Sequence, residues 1–169
     1  MRKYLSIFAI ALFAVFSFAA CDPEQDEEAG GTNVQDMCGF WTVTAYTVNS
    51  DGTLTQVTDP FLFTTSNTAA NDKDSIIVND NGNLWNFKFK VHCDYAAKTF
   101  SCAAKNYNVD TPSKAGNATI TDGKVLMGQG HNIHNMPCDS ISFRISFDDD
   151  DESGRVFQIS GTRYAGFTE

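Results

Sequence analysis

Basic side chains are scarce in this 169-residue sequence, where 12 Lys and Arg stand against 21 Asp and Glu for a formal net charge of −9. Nucleic acids and anionic membrane surfaces are held by basic patches, so this balance argues against both as partners. Histidine is rarer still, with only His92, His131 and His134. Nucleophilic catalysis needs a base within reach of its nucleophile, and the sequence holds no Gly-x-Ser-x-Gly elbow. The mature part of the chain also lacks a sustained helical period, an internal repeat and a second linker. These absences leave a nearly all-β chain that reads as a binding or interaction protein, with hydrolysis a distant alternative and no cofactor implied.

Long apolar runs are absent except at the N-terminus. There Arg2 and Lys3 precede an almost unbroken apolar stretch from Leu5 to Ala20. A basic start, a short apolar run and small residues before the cut have the form of a secretory signal, and the run is short of the roughly 20 apolar residues of a spanning helix. Phe18-Ala19-Ala20-Cys21 resembles a bacterial lipobox, which makes Cys21 the acylated N-terminus of the mature chain. Lipid modification of that kind supplies the two or more chains that stable anchoring needs. Removing residues 1–20 takes away Arg2 and Lys3 and no acid, moving the balance from −9 to −11. Residues 21–36 are acidic and nearly devoid of apolar groups, which predicts a flexible tether. An acidic run directly after the cysteine also resembles a surface-export signal. The expected address is the outer membrane, lipid-anchored and facing the cell surface, with the periplasmic face as the alternative. Residues 37–169 are then one domain of ordinary size.

Four cysteines remain in the exported part: Cys38, Cys93, Cys102 and Cys138. An even count in an oxidising compartment favours disulfides. Cys93 and Cys102 flank a hairpin turn and could face each other, leaving Cys38 with Cys138; buried free thiols are the alternative.

Apolar alternation is the strongest local signal. Trp85, Phe87, Phe89, Val91 and Cys93 share one parity, and Asn86, Lys88, Lys90, His92 and Asp94 the other, as in a half-buried strand. Ile141, Phe143, Ile145 and Phe147 repeat the pattern, and Phe157, Ile159 and Gly161 continue it after the acidic turn at 148–152. Further strands are predicted over 40–49, 61–65, 75–79, 99–107, 117–121 and 124–128, separated by turn chemistry such as Asn79-Asp80-Asn81-Gly82 and Asp122-Gly123. Eight or nine short antiparallel strands in sequence order most simply close into an up-and-down barrel. A β-sandwich is the alternative. A barrel of eight strands has an interior that side chains fill or that one small ligand occupies. Trp85, Phe87, Phe89, Phe143 and Phe147 are the candidate ligand contacts. His131 and His134, three residues apart in a polar loop, are weak candidates for a metal, against the plainer reading of an exposed loop.

Gly39-Phe40-Trp41 opens the first strand, and Arg163 shares the inward parity of Phe157 and Ile159 in the last. This resembles the calycin signature of lipocalins and their relatives, in which a late Arg packs across the Trp indole at the closed end of the barrel. The resemblance assigns Gly39, Trp41 and Arg163 structural roles. More closely, Thr68-Ala69-Ala70-Asn71-Asp72, the strand from Trp85 to Val91, the segment from Asp94 to Phe100, Asp139-Ser140-Ile141 and the closing run from Gly161 to Phe167 resemble a Bacteroidetes lipoprotein family called lipid-binding putative hydrolase. That resemblance implies a calycin-like barrel with a small apolar or lipid ligand. A filled barrel that docks on an outer-membrane protein partner is the competing expectation.

Overall fold

The computed structural model describes residues 31–166. The apolar leader, Cys21 and the acidic segment as far as Gly30 lie outside the described residues. The folded unit carries nine strands: β1 (Gly39–Val48), β2 (Leu54–Gln56), β3 (Phe61–Asn67), β4 (Ser75–Asn79), β5 (Lys88–Asp94), β6 (Thr99–Asn106), β7 (Asn117–His131), β8 (Pro137–Phe147) and β9 (Phe157–Arg163). Two 3-10 turns, Gln35–Met37 and Pro112–Lys114, are the only helical segments among the described residues.

Each strand pairs antiparallel with its neighbour in sequence order from β3 to β9, and β1 closes the sheet by pairing with β9 from Trp41↔Arg163 to Thr47↔Phe157. The other edge of β1 is shared. Its first half pairs with β3 and its last residues with β2, so β2 and β3 act as two halves of one return strand. The break falls at residues 57–60, where Pro60 has no N–H to give a ladder. There Thr58 Oγ1 accepts from the Ala45 N–H instead. The result is a closed eight-stranded antiparallel barrel with β2 as an extra short strand.

Alternation fills the lumen. Trp41, Phe63, Phe87, Phe89, Phe143 and Ile159 are fully buried, as are Ile76, Val78 and Val91. Ring centroids of Phe63 and Phe143 lie 5.2 Å apart, those of Phe100 and Phe143 5.5 Å, and those of Phe87 and Phe89 5.9 Å. Rings from strands on different sides of the barrel therefore touch across it, in the tilted arrangements that aromatic quadrupoles favour.

Three expectations need correction. Residues 32–36 are not tether. Val34 is completely buried in the core, and the Asn33 N–H donates to Asn71 Oδ1 at 2.9 Å. One apolar residue in an otherwise acidic stretch was enough to anchor it. Asp122-Gly123 does not end a strand either; β7 runs through it as one 15-residue strand with a bulge. Asp122 takes the left-handed conformation (φ 55°), and a Cβ on Gly123 would lie 2.3 Å from the Phe100 carbonyl and 2.6 Å from its ring. Turn chemistry and bulge chemistry share these residue types. Finally, β5 begins at Lys88, because Asn86 (φ 55°) breaks the extended backbone after Trp85.

The cysteine pairing also differs from expectation. Cys38, Cys93, Cys102 and Cys138 are all free thiols. Register explains one pair: Cys93 stands opposite Phe100, while Cys102 stands opposite Ile120 on the other neighbour.

Candidate functional site

The two ends of the barrel are closed by different chemistry. At the first end, the Arg163 guanidinium lies 4.3 Å from the Trp41 ring. Its three nitrogens are all engaged: Nε donates to Asp139 Oδ2 at 2.9 Å, Nη1 to the Cys38 carbonyl at 2.9 Å and Nη2 to the Asp36 carbonyl at 3.0 Å. Below it, Trp41 Nε1 donates to Thr65 Oγ1 at 2.8 Å, and that hydroxyl donates to the Met37 carbonyl at 2.7 Å. Gly39 has φ 152°, and a Cβ there would lie 2.2 Å from Arg163 Nη1. Glycine is the residue that lets the arginine cross. A planar five-donor fork suits this position as a lysine would not. Lys98 adds a tie from the β5–β6 turn to Asp36 at 2.7 Å, and this bond, with a second from Tyr95, holds the Asp36 carboxyl below its ordinary range. Burial pushes the Cys38 thiol at this end up to about 11.

The opposite end is closed by a loop. Asp80, fully buried, accepts four backbone N–H bonds: from Gly82 on Oδ1, and from Leu84, Trp85 and Asn86 on Oδ2 at 2.8–3.0 Å. That carboxylate folds residues 81–86 across the lumen. It places the Trp85 indole flat against Phe147, with centroids 4.6 Å apart and planes 8° apart. Tyr107 meets the same Phe147 edge-on at 5.4 Å. Asp149, from the β8–β9 turn, accepts from Trp85 Nε1 at 3.3 Å and from the Tyr107 hydroxyl at 2.7 Å. Burial, and next the bond to Asp149, push the Tyr107 phenol up. Trp85 remains partly exposed, so this end is a lid with a solvent-facing side.

Of the five aromatic residues expected to line a ligand site, Trp85, Phe87 and Phe147 meet at the lid, with Phe89 and Phe143 deeper in the lumen. Sequence reasoning missed Asp80, Asp149 and Tyr107. The Asp-Asn-Gly-Asn run at 80–83 signalled the turn but not a buried carboxylate, and Asp149 reads as one more charge in an acidic tip. His131 ends β7 opposite Pro137 and His134 lies in the β7–β8 connection, both exposed, with Asn132 Oδ1 accepting from the His134 and Met136 N–H groups. Among the described residues no group of three or more His, Cys, Asp and Glu side chains is placed to hold a metal. His92 and Ser101 are cross-strand partners with outward side chains, but no hydrogen bond joins them.

The model of the family described as lipid-binding putative hydrolase matches residues 26–168, which covers the barrel from before its first turn to its last strand. The chain belongs to this family. No curated protein matches it. Membership and fold together describe a lipid-binding-family β-barrel.

Proposed function

We propose that this protein is an envelope lipoprotein, made with a signal peptide over residues 1–20, acylated at Cys21, and carrying a barrel that binds one small apolar or lipid ligand without chemistry. The observation that supports it most is the contrast between the ends. One is locked by a fully bonded arginine, and the other is covered by a loop whose tryptophan rests on Phe147 through stacking and one 3.3 Å bond to Asp149. A ligand enters at the second end by lifting Trp85, and its apolar part then meets Phe147, Phe87 and Phe157. Acyl chains on Cys21 hold the protein at the outer membrane, facing the cell surface. A fluorescent fatty-acid probe is expected to gain signal on the delipidated protein, with uptake several-fold faster in Trp85→Ala. No signal at high micromolar probe contradicts the reading.

The touching rings across the lumen favour a second reading, a solid barrel serving as accessory subunit of a surface complex. Phe40 and Leu62 are exposed on adjoining strands, and Tyr164 donates its N–H to the Phe40 carbonyl beside them. Co-purification of an outer-membrane protein, lost on Phe40→Ser with Leu62→Ser, is the result that would favour this reading.

A further inference from the structure

The wall of the barrel is open in one place. β5 and β6 are seven and eight residues long, yet only His92↔Ser101, Cys93↔Phe100 and Asp94↔Thr99 pair between them. The chain rejoins β5 only at Lys88, whose N–H donates to the Tyr107 carbonyl and whose carbonyl accepts from Val109. The three residues Phe89 to Val91 therefore stand against the six from Cys102 to Tyr107, and β6 pairs irregularly with β7 between Phe100 and Lys105. Backbone groups alternate in direction along a strand. Lys90, midway between Lys88 and His92, consequently turns its N–H and carbonyl toward β6, where no strand partner meets them. Its carbonyl is taken by Lys105 Nζ at 2.9 Å.

This window is a groove of about 310 Å³ bordered by Ser75, Lys90, Val91 and His92 on one side and by Ser101, Cys102, Ala103 and Lys105 on the other. Val91 is completely buried in the core, and the accessible apolar part of the groove comes from half-buried Cys102 and exposed Ala103. A second groove of about 430 Å³ shares His92 and Ser101 with it and reaches Lys124. Lys90, His92 and Lys105 border the first groove, whose lining holds no acid, while Lys124 shares the second with Asp94 and Asp122. Of the nearby acids, Asp72 is 3.6 Å from Lys90, Asp94 accepts from the Ala97 N–H, and Asp122 lies 3.7 Å from Arg144. The Lys105 ammonium uses one of its three donors on Lys90 and keeps the others.

We propose that the β5–β6 window holds the anionic group of an amphiphile, a carboxylate or phosphate, on Lys90, Lys105, His92, Ser101 and the Lys90 N–H, with the apolar chain against Cys102 and Ala103. The inference rests on the lipid-binding reading and gives its ligand a charge and a second point of contact. It also refines the argument from net charge, which weighs against an anionic surface but not against one anion at a local cluster of cations.

The test is calorimetry and amide NMR shifts on the purified protein with dodecanoate, dodecyl phosphate, dodecanol and inorganic phosphate. The dodecyl anions are expected to bind, to shift the Lys90, His92, Ser101 and Cys102 amides, and to lose at least tenfold in affinity in Lys90→Gln/Lys105→Gln, with dodecanol affinity unchanged. Both lysines are exposed, and an unchanged melting curve for the double variant secures its fold. Dodecyl anions that bind with equal affinity to the variant and shift only the Trp85 loop overturn the window and leave the lipid-binding reading standing. No binding by any of the three dodecyl compounds overturns both. Inorganic phosphate binding as tightly as dodecyl phosphate overturns the amphiphile and assigns the window to a free anion.

Discussion

Arg163 concentrates more chemistry than any other single side chain described here. It stacks on Trp41, neutralises Asp139 and satisfies two carbonyls from the segment that enters β1. Truncating it forfeits a cation–π contact of about 0.5–2 kcal/mol and takes the donor from Asp139 Oδ2 and from two carbonyls, leaving the Asp139 carboxylate only its bond from the Gly128 N–H. Arg163→Ala is expected to cost about 3 kcal/mol, a fall of roughly 10 °C in Tm by differential scanning calorimetry. Arg163→Lys should recover less than half of that, because an ammonium cannot reach all three acceptors. Gly39, Trp41 and Arg163 could be singled out in the sequence because a calycin-like spacing marks them. Asp139 and Thr65, their hydrogen-bonding partners, could not, since an Asp at a strand start and a Thr in a strand are ordinary residues whose roles appear only with the register.

Strands were the legible elements and their interruptions were not. Period-two burial made β5, β8 and β9 readable, because one face of each meets the lumen and the other meets water. The Asp122-Gly123 bulge has the residue types of a turn, since left-handed backbone and glycine occur in both; only the close passage of Phe100 decides between them. The lid loop was similarly opaque. Its structure depends on one buried carboxylate receiving four N–H groups, and nothing in the apolar pattern reports that. Asp80→Asn replaces one acceptor oxygen by a donor facing N–H groups. It is expected to destabilise the protein by about 2–4 kcal/mol. Hydrogen exchange should speed up most at the Leu84, Trp85 and Asn86 amides, whereas exchange rising uniformly along the chain would show that the carboxylate does not organise this loop in particular.

At the scale of the molecule, the barrel is clasped to its entering segment by Asp36 and Lys98, and this gives a pH signature. The hydrogen bond from Lys98 depresses the Asp36 carboxyl, so its contribution is present above the unfolded value near 4 and fades as pH falls through the lower folded value. The pair is half-buried at the surface, which limits the effect to about 0.5–1 kcal/mol. In urea titrations Asp36→Asn should be less stable than wild type at pH 7, and the gap should narrow as pH is lowered below the unfolded value. A gap that stays constant with pH would mean that the Asp36–Lys98 bond is not its source. The acidic composition and the all-β meander were readable from sequence at this scale. The lid and the open seam were not, because each depends on which rings and backbone groups meet across the closed sheet.

The central claim is that the barrel carries a ligand. Native mass spectrometry of the purified protein, followed by lipid extraction, tests it most directly. One apolar or anionic lipid mass retained in stoichiometric amount is the predicted result. A bare protein mass from every preparation, with nothing recovered in the extract, would contradict it and turn the search toward a protein partner.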